Sequence, residues 1–428
     1  MIISRSLWIV WLLGATCAVL PAQWDYMNAV SLSTVPTPNQ ITVGPDKALW
    51  FTTQGPAVGR MTAAGAVTEY TYSATSGGGG ITAGPDGALW FTIDSGEIGR
   101  ITTVGKITTY AVPAANSQPG WIAVGSDKAL WFTESGANQI GRITTAGVFT
   151  EYPLPATSSN PTVIVAGPDG ALWFIYSYQP IIGRITTSGT VTEYALPFNL
   201  GGAVSIAAEP DGALWFPTDI TVGIIGRITT TGTISQYSAP HLFASSITSG
   251  PDGALWLTDV GGFVARMTTT GAFTEYPVAA AGIPWSITAG PDGALWFTEQ
   301  FTPQGSGSIS GALACGLGMS LSYGNGTLTL DFDLSVMTPA TWTAWLVTGR
   351  GETPLWSKPV RATHPPRSFT LKESVPAQGN VGVLSALSTS AGSFMCTDFQ
   401  MVSTGGSGAS AEELRREVVR SGLALALP

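Results

Sequence analysis

Charge is scarce in this chain. Asp, Glu, Lys and Arg make up 11% of its 428 residues, against about a quarter in an average soluble domain. That excludes a coiled coil and a chain kept expanded by its own charge. Histidine numbers 2 and cysteine 3, so His-Glu-x-x-His and Cys-x-x-Cys chemistry is excluded outright. A Gly-x-x-x-x-Gly-Lys-Ser/Thr phosphate loop and a Gly-x-Ser-x-Gly nucleophile turn are likewise missing. The formal net charge of -9 is spread along the chain, which disfavours nucleic acid as a partner. Long apolar runs are lacking too. The longest spans residues 7–20, short of the roughly 20 needed to cross a bilayer.

Turn formers are abundant by contrast, with 53 Gly and 29 Pro. They follow a period. Ala-Leu-Trp recurs with Trp50, Trp90, Trp131, Trp173, Trp215, Trp256 and Trp296, at intervals of 40–42 residues. Each unit reads as four short strands. In residues 247–278, Ile247-Thr248-Ser249 is followed by the turn Gly250-Pro251-Asp252-Gly253, in which Pro fixes φ and Gly accepts positive φ. A buried strand around Trp256 comes next, then a strand around Arg266, a Thr270-Gly271 turn and the alternating Phe273-Thr274-Glu275-Tyr276. Four antiparallel strands per unit and seven units predict a seven-bladed β-propeller over residues 28–312. The seventh unit lacks its outer strand. Residues 29–32 align with one, so the N-terminal segment is expected to complete blade 7, with residues 308–312 as its third strand.

The repeat assigns most notable residues to scaffold. The seven Trp are expected between blades, and each turn Asp on local backbone amides. A two-residue outer turn would set Arg60 opposite Glu69, Arg142 opposite Glu151, Arg184 opposite Glu193 and Arg266 opposite Glu275, as outer-strand ion pairs.

The ends differ. Residues 1–22, with Arg5, the apolar run and Leu20-Pro21-Ala22, read as an export signal cut before Gln23; an uncleaved membrane anchor is the alternative. The mature chain would keep Cys315 and Cys396, an even pair in an exported chain, read as one disulfide. Residues 313–403 alternate apolar and polar in several runs, predicting a small β-sandwich. Residues 404–428 read as a Gly/Ser linker and a short helical or disordered tail. The expected class is all-β, a propeller followed by a sandwich, and a monomer.

The unit Ile287-Thr288-Ala289-Gly290-Pro291-Asp292-Gly293-Ala294-Leu295-Trp296-Phe297-Thr298-Glu299, with Ile140-Gly141-Arg142-Ile143-Thr144-Thr145 and Thr150-Glu151-Tyr152, resembles the streptogramin B lyase family, also called virginiamycin B lyases, over about residues 28–312. The resemblance implies seven blades and a magnesium-dependent elimination that opens the ester of a cyclic depsipeptide. In that family the reaction needs His residues that follow a Pro, two residues before the Ile of certain innermost strands. Here those positions hold Asn39, Gly79, Gly120, Thr162, Val204, Ser245 and Trp285. His241 follows Pro240 but lies six residues before Ile247; it is the one candidate acid or base in the propeller. His364 lies outside it. Glu134, Asp259 and Glu299 end the Trp-containing strands and are the candidate ligands for Mg2+ if the lyase reading holds. Asn39, Trp121, Thr162, Tyr176, Tyr178, Ser245 and Trp285 are candidates for ligand contact, the aromatics by stacking on a sugar or peptide or, alternatively, as plugs of the channel.

Three functions follow: an exported binding propeller for a small molecule, peptide or glycan; a carbon–oxygen lyase; and a structural cell-surface protein. The missing His residues favour the first.

Overall fold

The computed structural model describes residues 25–31, 37–62, 65–155, 160–177, 179–197, 202–218, 223–278, 282–291, 293–300 and 308–313, and strands between 315 and 403. For residues 25–31 and those beyond 310 the description is of backbone alone. Seven four-stranded antiparallel sheets succeed one another along the first part of the chain. In blade 1 the strands are Pro38–Val43, Leu49–Thr53, Ala57–Met61 and Val67–Thr71, each paired with the next. Blade 7 takes its outer strand from Asp25–Ser31, which pairs with Ser308–Leu313. This is the expected clasp; it joins the two ends of the ring and leaves the last blade no open third strand.

The second strand of each blade is buried along its length, as in Leu130–Glu134 and Leu255–Asp259. The apolar core lies between blades. Trp50 packs with Leu89 and Phe91 of blade 2, Trp90 with Leu130 and Phe132 of blade 3, and so on to Trp256 with Leu295 and Phe297 of blade 7. In blades 1 to 5 the Phe ring lies over a third-strand Gly: a Cβ on Gly141 would come 2.2 Å from Phe132, so only glycine leaves that ring room.

The ion pairs differ from the expectation. Arg142 faces Thr150, and Glu151 faces Gly141. The outer turn is one residue longer than a two-residue hairpin: Thr144 N–H donates to Val148 O, Gly147 N–H to Thr144 O, and Gly147 has φ 85°. This is a three-residue turn with a left-handed glycine. One added residue shifts the register by one and turns Arg and Glu to opposite faces. The same holds for Arg60, Arg184 and Arg266, which face Thr68, Thr192 and Thr274. Arg instead meets the turn Asp. Nε of Arg60, Arg100, Arg142, Arg184, Arg227 and Arg266 donates to Asp46, Asp86, Asp127, Asp169, Asp211 and Asp252 at 2.7–2.8 Å.

Each of these Asp also accepts the indole N–H of its Trp and, as expected, a local backbone amide. For Asp127 the donors are Trp131 at 3.0 Å and Ala129 at 3.2 Å. The guanidinium of Arg142 sits 5.9 Å from the Trp131 ring, which also stacks on Tyr152. Burial raises the Asp127 pKa, but the bonds from Trp131, Arg142 and Ala129, with the Arg142 charge, outweigh it and hold the carboxyl below its ordinary value.

Beyond residue 314, seven strands form a three-stranded and a four-stranded antiparallel sheet. Cys315 opens the first of them and Cys396 lies in the last; their side chains, like His364, lie outside the described residues. So do residues 1–22 and 404–428.

Candidate functional site

The innermost strands begin at a bulge. Pairing in blade 1 jumps from Pro38↔Thr53 to Ile41↔Phe51, which leaves residues 39 and 40 off the ladder. Blades 2, 3, 4 and 7 do the same, and in blade 6 Ser245 alone is left off. The seven positions that would hold histidine in the resembled family fall at this point in their blades. All seven, Asn39, Gly79, Gly120, Thr162, Val204, Ser245 and Trp285, are half-buried. They take equivalent places at the start of successive blades, the end that in a propeller opens as the mouth of the central channel.

In five blades a threonine hydroxyl serves this point. Thr133, fully buried, accepts the N–H of Trp121 at 3.0 Å and donates to the carbonyl of Thr162 in the next blade at 2.8 Å. Thr52 bridges Gln40 N–H and Gly79 O, Thr92 bridges Gly80 N–H and Gly120 O, and Thr298 bridges Ser286 N–H and Asn39 O across the ring closure. Thr258 donates to Trp285 O at 2.9 Å. Hydroxyls thus satisfy backbone groups that the bulge takes off the ladder. Ile175 and Pro217 stand at the equivalent places in blades 4 and 5. Sequence reasoning missed this relay. Its signal was the Thr after Trp-Phe or Trp-Leu in five of the seven units.

The candidate ligand residues separate into two groups. Asn39, Thr162, Ser245 and Trp285 hold four of the seven mouth positions. The Asn39 amide donates to Gly78 O at 3.0 Å, and the Ser245 hydroxyl to Pro284 O at 2.9 Å. Trp121 follows the mouth position of blade 3 and packs against the apolar clusters between blades 3 and 4 and between blades 4 and 5, so much of its ring is used by the scaffold. Tyr176 is fully buried, and its hydroxyl donates to Glu193 at 2.6 Å. Its ring serves blade 4 and offers no face to a ligand. Tyr178 lies outside the described residues.

The three carboxylates do not converge. They belong to blades 3, 6 and 7, and each is taken up by its own blade. Glu134 accepts from Gln139 at 3.0 Å. Asp259 accepts the backbone N–H groups of Phe243 and Gly261. Glu299 accepts the hydroxyls of Ser308 and Ser310. Burial, with a smaller contribution from the Glu151 charge against the bond from Gln139, pushes Glu134 up to about 7. Among the described residues no three His, Cys, Asp or Glu gather to hold a metal ion, so these residues do not fit a Mg2+ centre.

His241 is exposed. It occupies the third position of the turn Ala239-Pro240-His241-Leu242, with φ 69° and Leu242 N–H donating to Ala239 O. Glu275, on the outer strand of blade 6, lies within electrostatic reach of both His241 and Asp259. The mouth position of its blade is held by Ser245, so His241 does not occupy it.

A model of the Virginiamycin B lyase family matches residues 27–245. A streptogramin B lyase structure is 32% identical, covering 68% of this chain and 98% of that one, with a TM-score of 0.60. A catalytically inactive histidine-to-alanine variant of the Staphylococcus aureus virginiamycin B lyase, solved with quinupristin, is 34% identical over 68% of this chain and 99% of that one, TM-score 0.61. The extracellular domain of a putative hybrid two-component system from B. thetaiotaomicron shares the fold at 12% identity, covering 89% of this chain and 60% of that one, TM-score 0.55. No curated protein matches the chain.

Proposed function

The chain belongs to the virginiamycin B lyase family, and from that premise we propose that it is an exported binding propeller that recognises its ligand at the channel mouth without histidine chemistry. The observation that carries this reading is the ring of seven half-buried mouth positions, none of them histidine. General acid–base catalysis needs a titratable group within hydrogen-bond reach of the reacting proton. The mouth offers an amide, hydroxyls and one indole. Those groups suit recognition of a small molecule, a peptide or a glycan: Trp285 supplies an aromatic face, and Asn39, Thr162 and Ser245 supply hydrogen bonds. No step of the reading passes through Mg2+, since Glu134, Asp259 and Glu299 are each engaged within separate blades.

Residues 1–22 direct export, a cleaved signal being favoured over an anchor by the length of the apolar run. The two sheets beyond residue 314 form the sandwich, tied by Cys315 and Cys396. The protein acts as a monomer and takes no nucleic acid.

Purified protein incubated with a streptogramin B and Mg2+ tests the reading. Calorimetry should register saturable binding of a ligand of one of these classes that weakens in Trp285→Ala, while mass spectrometry finds the depsipeptide ring intact. Ring opening that disappears in His241→Ala would overturn it in favour of a lyase.

A further inference from the structure

Six blades open their Pro-Asp or Ser-Asp turn with glycine: Gly44, Gly84, Gly125, Gly167, Gly250 and Gly290. Blade 5 has Glu209. The glycine is a packing requirement. A Cβ on Gly44, Gly84, Gly125, Gly167 or Gly250 would come within 2.1–2.7 Å of the blade's own Trp. Blade 5 accommodates its side chain by moving the indole. Trp215 Nε1 is shared between both Asp211 oxygens at 3.4 and 3.2 Å, where other blades make one bond of 2.9–3.0 Å. The Trp215 and Tyr237 rings close to 4.7 Å and tilt to 34°, while the five other pairs stack at 5.3–5.8 Å and 12–28°.

The displaced space holds a carboxylate. Glu209 is 4% exposed, and neither of its oxygens has a well-formed hydrogen bond. The groups acting on it are Ser249 at the end of the innermost strand of blade 6, Asp211 in its own turn and Asp252 in the turn of blade 6. Asp252 is itself covered, its side chain 6% exposed against 17–21% for the other five. Asp211 and Asp252 are occupied by Arg227 and Arg266, and no described trio of acids gathers to hold a metal. The relief available to this buried acid is a proton.

We propose that the seam between blades 5 and 6 is a proton-operated joint, closed while Glu209 is neutral and loosened when it ionises between Asp211 and Asp252. Burial, helped by those two charges and opposed by Ser249, pushes Glu209 up to about 7. A folded-state value above the unfolded one means the folded chain holds the extra proton. Stability is therefore lost as pH rises from about 4.5 to above 7.

The test compares thermal midpoints of the full chain with those of Glu209→Gln, which keeps the shape and cannot ionise, between pH 4.5 and 8. Effects of all other groups cancel in the difference. The two proteins should melt together at pH 4.5, and wild type should fall about 3–6 °C below the variant at pH 8. The Trp near-ultraviolet circular dichroism of wild type should change over the same interval and that of the variant should not. A difference independent of pH would overturn the proposal. So would recovery of the wild-type midpoint at pH 8 by Ca2+ alone, which would make the site a cation site. If Glu209→Gln does not fold, Glu209→Gly restores the turn of the other blades and serves the same comparison.

Discussion

The Trp clamp and the channel mouth sit at opposite ends of the same strand pairs. In blade 1 the mouth lies where Pro38 pairs with Thr53, and the clamp where Val43 pairs with Leu49. At the clamp end, six blades repeat Asp, Trp and Arg with nearly invariant geometry. At the mouth end, seven equivalent positions carry six different residue types, from Gly79 to Trp285. The clamp's partners are fixed by its own blade and the next, so one solution serves every copy. The mouth positions carry no such repeated partner, and on the proposed reading their partner is the ligand. In five blades a threonine hydroxyl ties the backbone beneath them to the next blade.

The largest contrast should come from substituting one residue at each end of blades 3 and 4. Trp131→Ala removes a fully buried indole between two blades and should cost about 3–5 kcal/mol. Thr162→Ala trims a half-buried mouth side chain whose carbonyl, not its hydroxyl, serves the relay; it should change stability by less than about 0.5 kcal/mol. Urea denaturation followed by Trp fluorescence measures both. Equal losses would break the division between scaffold and mouth.

A smaller loss is expected for the relay. Thr133→Val keeps the volume but strands the N–H of Trp121 and the carbonyl of Thr162, at a cost of about 1–3 kcal/mol. Ile175 and Pro217 show that two blades do without the hydroxyl. Ile175→Thr should therefore be tolerated, and a fall in its urea midpoint as large as that of Thr133→Val would show that blade 4 has repacked around isoleucine.

How much of this was legible in the sequence depends on the end considered. The period of the Trp residues and the missing outer strand of blade 7 gave the ring and its clasp, because both are consequences of repetition. The Arg partners were misassigned because one extra turn residue, Gly147 in its left-handed conformation, moves Arg142 and Glu151 to opposite faces. The joint repetition of Asp and Arg in the same six blades was the signal for the true pairing. Tyr176 was read as a departure open to ligand, and its burial against Glu193 depends on which way a strand end faces, which spacing alone leaves undetermined. The backbone bulge at Asn39, Thr162, Ser245 and Trp285 has no residue signature of its own beyond a preceding Pro, which Ser245 lacks.

The clamps should also carry the acid sensitivity. Asp46, Asp86, Asp127 and Asp169 have pKa values below the ordinary 3.8: burial raises each, and the bonds from Trp, Arg and Ala more than offset it. Depressed values contribute stability that is full above the unfolded-state pKa and is lost as pH falls through the folded-state one. Asp127→Asn should therefore lose stability at pH 7, with the gap to wild type closing by pH 2. A gap of constant size would mean that Asp127 contributes through hydrogen bonds that its protonated form retains.

The smallest expected effect separates the two registers. Glu69 faces Gly59 across the outer strand pair, one position away from Arg60 and on the other face. Glu69→Ala should then shift stability by no more than about 0.5 kcal/mol, and combining it with Arg60→Ala should give an additive change. Asp46→Ala with Arg60→Ala should not add, because the two share one contact at 2.7 Å. A coupling between Glu69 and Arg60 as large as that between Asp46 and Arg60 would return the Arg to the outer strand. It would also remove the reason the clamp geometry repeats, since Arg lies over Trp only when Asp holds it there.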